Sequence, residues 1–534
     1  MSHGALVTGR DGTLPPVNHA DTVAWLRDPR SYPDRPQEVS VVETHILQVF
    51  LTDHFVYKLK KPVRFEFLDF TTLPRREQAC RDELALNRRL AHDVYVAVLP
   101  ITQEGDGSLK FHGGGRVVDW VVQMRRLPAE KMLDELLRRG ALDQVDEQRL
   151  AEMLAGFYAS APPLTVRPEQ YRTAIVEHVQ ANRRDLLASL AVVESARIRR
   201  IHTAQLRLLY GSPEMFDARV LDGRIIDGHG DLRPEHICLL NPPVVFDCIE
   251  FNAEFRQLDV LDELCFLSME CDRLQAGRVG RHLLDEYLRQ SGDRPPTRLI
   301  AFYKSYRACV RAKVAALRAA QLSNSQRAET EQEAASDLEL ADGYMRAIGV
   351  RPFLAIVTGP MGSGKTTLAR ALAESLGAEL LRTDVVRQSL SPDASQVSEF
   401  GMGRYSEPAR ARVYDELLRQ ASHQLEQGIS VVLDGTFALA APRDAALRCG
   451  VEHGADTLLV ECQCPREVAM QRIAARLQDC EADASEARPE MYDLQVAQWQ
   501  SSPSLAAACH VDTTEAQSAQ LQAVWKGLSR ASQR

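Results

Sequence analysis

A chain of 534 residues is too long for one hydrophobic core, and a prior of roughly 150 residues per domain divides it into several units. Its 64 Lys and Arg against 73 Asp and Glu leave a net charge of −9, which excludes the overall basic field of a nucleic-acid-binding or membrane-surface protein. The eleven cysteines form no C-x-x-C pair, no signal peptide opens the sequence and no apolar run reaches the width of a bilayer, so the expectation is a cytoplasmic protein without a membrane partner.

Residues 1–38 carry five prolines and one short apolar helix signal, Val23 to Leu26, which reads as an N-terminal arm or a small docking helix. Strands follow at Val39 to Phe50 and Phe55 to Lys60, where alternation places Val56, Lys58 and Lys60 on one face. A helix over Arg75 to Ala91 presents Glu77 and Glu83 among leucines. A strand lysine followed about 25 residues later by a helix glutamate is how protein kinases hold a phosphate-binding Lys and the Glu that orients it. Trp120 to Pro128 is an apolar strand running into a polar connector, as a hinge between two lobes would. His229-Gly230-Asp231-Leu232 and Val244-Val245-Phe246-Asp247 then each deliver a carboxylate at the end of a short strand.

These residues resemble the aminoglycoside phosphotransferase and choline kinase family, a branch of the protein-kinase-like fold whose catalytic loop reads His-Gly-Asp-Leu-His-Pro-x-Asn. The resemblance implies an α+β, bilobal, protein-kinase-like domain over residues 39–346. It implies Asp231 as the base that takes up the substrate hydroxyl proton and Asp247 as a Mg²⁺ ligand bridging to the nucleotide phosphates. Lys58 would hold the α- and β-phosphates with Glu83 as its partner, and Lys60 is the alternative for that lysine. Where the family has Asn, this chain has His236, a poorer Mg²⁺ ligand than an amide oxygen. That metal position therefore falls to His236 or Glu250, or is given up together with turnover. Glu43-Thr44-His45 with Tyr57 to Val63 also resembles a bacterial subgroup in which such a lobe is fused to a P-loop kinase-like domain.

Helical spacing runs from Asp259 to about Arg346 apart from a polar, acid-rich stretch at Ser323 to Ser336, and Gly349 and Pro352 mark a domain boundary near 346–352. The apolar run from Phe353 to Val357 turns through Gly359-Pro360-Met361-Gly362-Ser363-Gly364-Lys365-Thr366-Thr367 into an amphipathic helix, fitting the P-loop pattern at each fixed position. The glycines let successive backbone N–H groups converge on phosphate oxygens at the positive end of the helix. Lys365 would reach the β- and γ-phosphates, and Thr366 would offer its hydroxyl to Mg²⁺. Strands at Ala378 to Thr383, Ile429 to Asp434, Thr457 to Cys462 and Cys509 to Asp512, separated by helical sequence, predict an α/β P-loop domain over 352–534 with a five-stranded parallel sheet. Asp434 ends its apolar strand as a Walker B carboxylate that would hold Mg²⁺ through water.

This part resembles the small P-loop kinases related to gluconate kinase, chloramphenicol phosphotransferase and zeta-type toxins. The resemblance implies Asp384 on the substrate hydroxyl and Arg387 nearby for an anionic group. Arg472 and Arg476, i and i+4 on one helix, are expected as lid arginines that neutralise charge on the transferring phosphate. The reading is an ATP- and Mg²⁺-dependent phosphotransferase with two nucleotide sites, acting on a small-molecule hydroxyl and not on nucleic acid. Two alternatives stay open: an N-terminal pseudokinase sensor that controls a C-terminal ATPase, and a nucleotide-gated interaction protein. Substrate identity and oligomeric state are not encoded in these motifs.

Overall fold

The structure, a computed structural model, describes residues 17–65, 68–390, 406–478 and 489–531. It divides into two compact units, Met1–Thr165 with Gly223–Arg294, and Val166–Asp222 with Pro295–Arg534. No described helix is long and apolar enough to cross a membrane.

The first unit is built on a six-stranded antiparallel sheet in the order Ser40–Glu43, Leu47–Leu51, Phe55–Lys60, Arg116–Arg125, Tyr95–Gln103 and Leu109–Phe111. Alternation along Phe55–Lys60 sorts its side chains as expected. Tyr57 and Leu59 join Phe50, Ile101 and Val121 in one core, and Leu26 from the short helix His19–Leu26 closes it. Val56 faces the other way, toward Cys80 and Leu84 of helix Leu73–Asn87, and Lys58 and Lys60 share that face. Two short antiparallel strand pairs complete the frame of the site. Ile225–Asp227 pairs with Gln257–Asp259, and Ile237–Cys238 pairs with Val244–Val245, so the His229 loop and the Asp247 loop emerge side by side.

The second unit holds five parallel strands in the order Glu379–Arg382, Val431–Asp434, Phe353–Thr358, Asp456–Gln463 and Cys509–Asp512. The five-stranded parallel sheet expected from the alternating pattern is present. Its central strand Phe353–Thr358 is buried at every position, as an unbroken apolar run in a covered sheet should be.

The same unit includes the helices Pro168–Gly211, Thr297–Ala319 and Asn324–Ala347. Arg207 donates to Asp456 Oδ2 at 2.8 Å and to the Arg351 carbonyl at 2.5 Å, and Tyr210 stacks on Trp525 with ring centroids 4.0 Å apart. The packing unit therefore runs across the boundary expected at 346–352. Nor is Ser323 to Ser336 a break: Asn324–Ala347 is one helix whose buried stripe of Ala334, Leu338, Ala341 and Met345 has helical spacing but small alanines, which hid it among polar residues.

Candidate active sites

In the first unit, Glu83 sits between two lysines. Lys58 Nζ donates to Glu83 Oε1 at 3.0 Å and Lys60 Nζ to Oε2 at 2.8 Å. Their further partners separate them: Lys58 also donates to Asp247, whereas Lys60, fully buried, also donates to Glu250. Lys58 is thus the lysine beside the Asp247 loop, and Lys60 locks Glu83 from behind. Glu250, one candidate for a metal oxygen, is committed to Lys60. Burial opposes the charge on Glu83, but the two ammonium groups outweigh it and hold its pKa below the ordinary value.

Asp247 lies in the left-handed region at φ 66°, where a non-glycine residue is strained, and its side chain is 41% exposed. Burial works against its ionisation and the Lys58 ammonium favours it, and the balance lies well below the usual carboxylate range. Asp231 is likewise lowered, with burial opposed by the neighbouring His236 ring and by the Arg233 guanidinium at 3.0 Å. The loop that carries Asp231 is anchored by Glu263, whose carboxylate accepts the His229 N–H at 2.9 Å, the Gly230 N–H at 2.5 Å and the Tyr158 hydroxyl at 2.8 Å.

His236 is tied at both ring nitrogens. Arg233 can only donate, so His236 Nε2 accepts from it at 3.1 Å, and Nδ1–H then donates to the Asp231 carbonyl at 2.9 Å. This tautomer leaves no lone pair unused for a metal, and among the described residues no group of three or more His, Cys, Asp or Glu has metal-holding geometry. Sequence reasoning missed Arg233 and Glu263. Arg233 could have been found as the cation two residues beyond Asp231, but Glu263 is indistinguishable in sequence from any acid on an amphipathic helix.

In the second unit the turn Gly359–Gly364 leads from the buried central strand into helix Lys365–Leu376. Gly362 has φ 75°, and a Cβ there would lie 2.5 Å from the Ala469 carbonyl, so the loop passes where only glycine fits. Gly364 caps the helix without a side-chain bond, which leaves first-turn N–H groups open for an anion. Lys365 Nζ has one weak polar contact, the Pro360 carbonyl at 3.4 Å.

Asp434 ends the strand next to the P-loop strand, opposite Val357. Its Oδ2 accepts from Arg382 at 3.2 Å, whereas Oδ1 is buried with no hydrogen-bond partner among the described residues, as is Ser363 Oγ. Such orphaned oxygens beside a phosphate cradle fit a Mg²⁺–nucleotide complex, whose coordinated waters could reach the free carboxylate oxygen.

Asp384 lies in the first turn of helix Thr383–Leu390, directly after its strand, and accepts from Arg387 at 2.5 Å. Arg472 is turned inward. It donates to the Gly362 carbonyl at 3.4 Å, to Thr513 Oγ1 at 2.9 Å and to the Thr513 carbonyl at 2.8 Å, so it straps the P-loop to the end of the last strand. Arg476, one turn along helix Arg466–Gln478, is half-buried. Gln495, which no sequence signal marked, accepts the Met361 N–H at 2.7 Å and donates to Thr436 Oγ1 at 3.4 Å, joining the P-loop to the segment after Asp434.

Residues 354–501 match the AAA domain family AAA_33, and with the sheet and the glycine-rich turn this makes the C-terminal part a P-loop kinase-like domain. Over most of its length the chain is similar to Rv2004c of Mycobacterium tuberculosis, with 34% identity across 444 residues that cover 82% of this chain and 86% of that protein. Mb2027c of Mycobacterium bovis matches to the same extent. The chain belongs to the family of these mycobacterial proteins. Within this family frame, solved structures align with about a third of the chain. A gluconokinase from Sinorhizobium meliloti aligns at 17% identity over 34% of this chain and 96% of that one, with a TM-score of 0.27. The Mycobacterium tuberculosis APS kinase CysC in complex with AMPPNP and APS aligns at 23% identity over 33% and 95%, with a TM-score of 0.26.

Proposed function

We propose that this protein is an ATP-dependent phosphotransferase acting on a small-molecule hydroxyl, with nucleotide sites at both the P-loop and the Lys58–Asp247 cluster. The observation that carries the reading is the P-loop turn with Asp434 beside it, whose Oδ1 is buried and without a partner among the described residues. Lys365 and the first-turn N–H groups hold the phosphates, and Thr366 and Asp434 would hold Mg²⁺. Bound there, Mg²⁺ would supply charge neutralisation on the β- and γ-phosphates. Arg472 fixes the loop that aims those N–H groups. Asp384 receives the acceptor's hydroxyl proton as the new O–P bond forms and the bond from the γ-phosphorus to the bridging oxygen breaks, releasing ADP.

In the N-terminal site, residues 39–346 are read as a protein-kinase-like domain similar to aminoglycoside phosphotransferases. Lys58, oriented by Glu83, exchanges Asp247 for nucleotide phosphates, and Asp231 is the base with Arg233 beside it. The occupied ring nitrogens of His236 favour a second reading of this half, in which it binds nucleotide as a sensor without turnover.

The test is transfer of label from γ-labelled ATP into a deproteinised cell extract by the wild type, Asp231→Asn and Lys365→Ala. Loss in Lys365→Ala alone assigns the chemistry to the P-loop and makes the first half a sensor. Loss in Asp231→Asn alone makes the first half a kinase. ATP hydrolysis with no labelled product in the wild type would overturn the phosphotransferase reading.

A further inference from the structure

Helix Thr383–Leu390 packs on helix Glu407–Glu426 through Val386 against Val413 and Leu417, which brings Asp384 and Arg387 next to Arg410 and Tyr414. Arg410 and Tyr414 are i and i+4, on one face of their helix. The Tyr414 hydroxyl accepts the Phe437 N–H at 3.1 Å, just beyond Asp434. Burial raises the pKa of that phenol, and the charged groups acting on it are Arg387, Arg410 and Asp384. Around that hydroxyl, among the described residues, two guanidinium groups therefore stand against one carboxylate.

The two arginines are not equivalent. Arg387 is neutralised by Asp384 at 2.5 Å. Arg410 is half-buried, and its partner is a neutral amide, Gln498 Oε1 at 3.1 Å, with no carboxylate on it among the described residues. Gln498 caps helix Tyr492–Ala497 one turn after Gln495, the residue bonded to the P-loop Met361 N–H. One helix face thus spans from the phosphate cradle to Arg410. An amide satisfies a guanidinium weakly, and a bidentate carboxylate or phosphate does so with roughly twice the strength per bond.

We propose that Arg410 is the anchor for an anionic group on the phosphoryl acceptor, so that the C-terminal site phosphorylates a hydroxyl compound bearing a carboxylate or a phosphate. The acceptor anion takes the place of the Gln498 amide on Arg410, and Asp384 remains free to meet the hydroxyl. The assignment moves the anion-binding role expected of Arg387 onto Arg410, and it rests on the kinase reading of this domain.

Binding and turnover test the two ideas separately. The full chain loaded with a non-hydrolysable ATP analogue is titrated calorimetrically with an alditol, the aldonic acid and the alditol phosphate of the same chain length. At least one of the two anions is expected to bind about tenfold or more tightly than the alditol, and whichever binds identifies the carboxylate or the phosphate as the anion. Arg410→Gln should remove that preference, and Arg410→Lys should restore part of it. Gln498→Glu, which places a fixed carboxylate on an otherwise intact Arg410, should remove it too. Equal binding of all three probes, no binding of any, or a preference unchanged in both Arg410→Gln and Gln498→Glu would overturn the proposal. Anion binding without label transfer from ATP would instead overturn the kinase reading and leave the anion site standing.

Discussion

Lys58 and Lys365 are the two lysines we propose to meet phosphate, and their surroundings are opposite. In the first unit each cation of the cluster already has carboxylates: Lys58 has Glu83 and Asp247, Lys60 has Glu83 and Glu250, and Arg233 has Asp231 and Glu235. In the second, among the described residues, Lys365 touches only a carbonyl at 3.4 Å, and Asp434 Oδ1 and Ser363 Oγ are buried without partners. On the proposed reading, a nucleotide entering the first site would exchange one anion for another on Lys58. One entering the second satisfies groups that have nothing else. The two sites should therefore respond in opposite ways when their lysines are changed.

The largest effect is expected behind the first site. Lys60→Met leaves Glu83 sharing a single ammonium and Glu250 with none, both in a dry interior. Breaking a buried pair in this way costs about 3–5 kcal/mol. Urea unfolding, with hydrogen exchange over Leu73–Asn87, should show the loss in the first unit. A variant as stable as the wild type would mean that this cluster is not a charge-balanced lock. Lys365→Met removes no partner from a buried carboxylate, so stability should hardly move, while transfer through the P-loop falls by about 10²–10³-fold. Nucleotide-dependent thermal stabilisation of the second unit should vanish with it, while any stabilisation of the first unit should remain. An equal loss of stability in both variants would erase the distinction between the sites.

How much of this was legible in sequence follows the same division. The P-loop was readable because its residues are consecutive and each answers a local demand: glycine where Gly362 passes the Ala469 carbonyl, and an acid after three apolar positions at Asp434. Asp384 was reachable too, as the acid that follows the second strand. The first site is assembled from residues far apart in the chain, and only alternation along Phe55–Lys60 pointed to its face. Alternation put Lys58 and Lys60 together but could not say which reaches Asp247, because that depends on where Glu250 lies. Glu263, Gln495 and Arg410 were invisible for a related reason. Each acts through a partner on another element, and its own neighbours in sequence are those of an ordinary helix. The helix Asn324–Ala347 was misread because alanine marks a buried stripe without the hydrophobic contrast that pattern reading needs.

Acid pH gives the smallest effect and the finest comparison. His202 is fully buried in helix Pro168–Gly211, with Nδ1 bonded to the Ile198 carbonyl at 2.7 Å and Nε2 unpartnered among the described residues, and burial pushes its pKa down from 6.5 to about 4. The unfolded chain then binds a proton that the folded chain refuses between pH 6.5 and 4. The contribution of His202 to stability is therefore intact above 6.5, shrinks as pH falls toward 4, and changes no further below that. At the limit the loss is roughly 3 kcal/mol. His229, lowered to about 4 by burial in the first unit, imposes the same slope there. Asp247 acts in a lower window, since a carboxylate held below its ordinary range stabilises above the unfolded pKa near 4 and is lost only as pH falls further. Hydrogen exchange measured from pH 7 to 4 on His202→Gln should lose the slope in segments of the Pro168–Gly211 helix and keep it around His229. A slope that persists in that helix would show that the second unit senses acid through some other group, and a slope lost in both segments would show that the two units do not titrate independently.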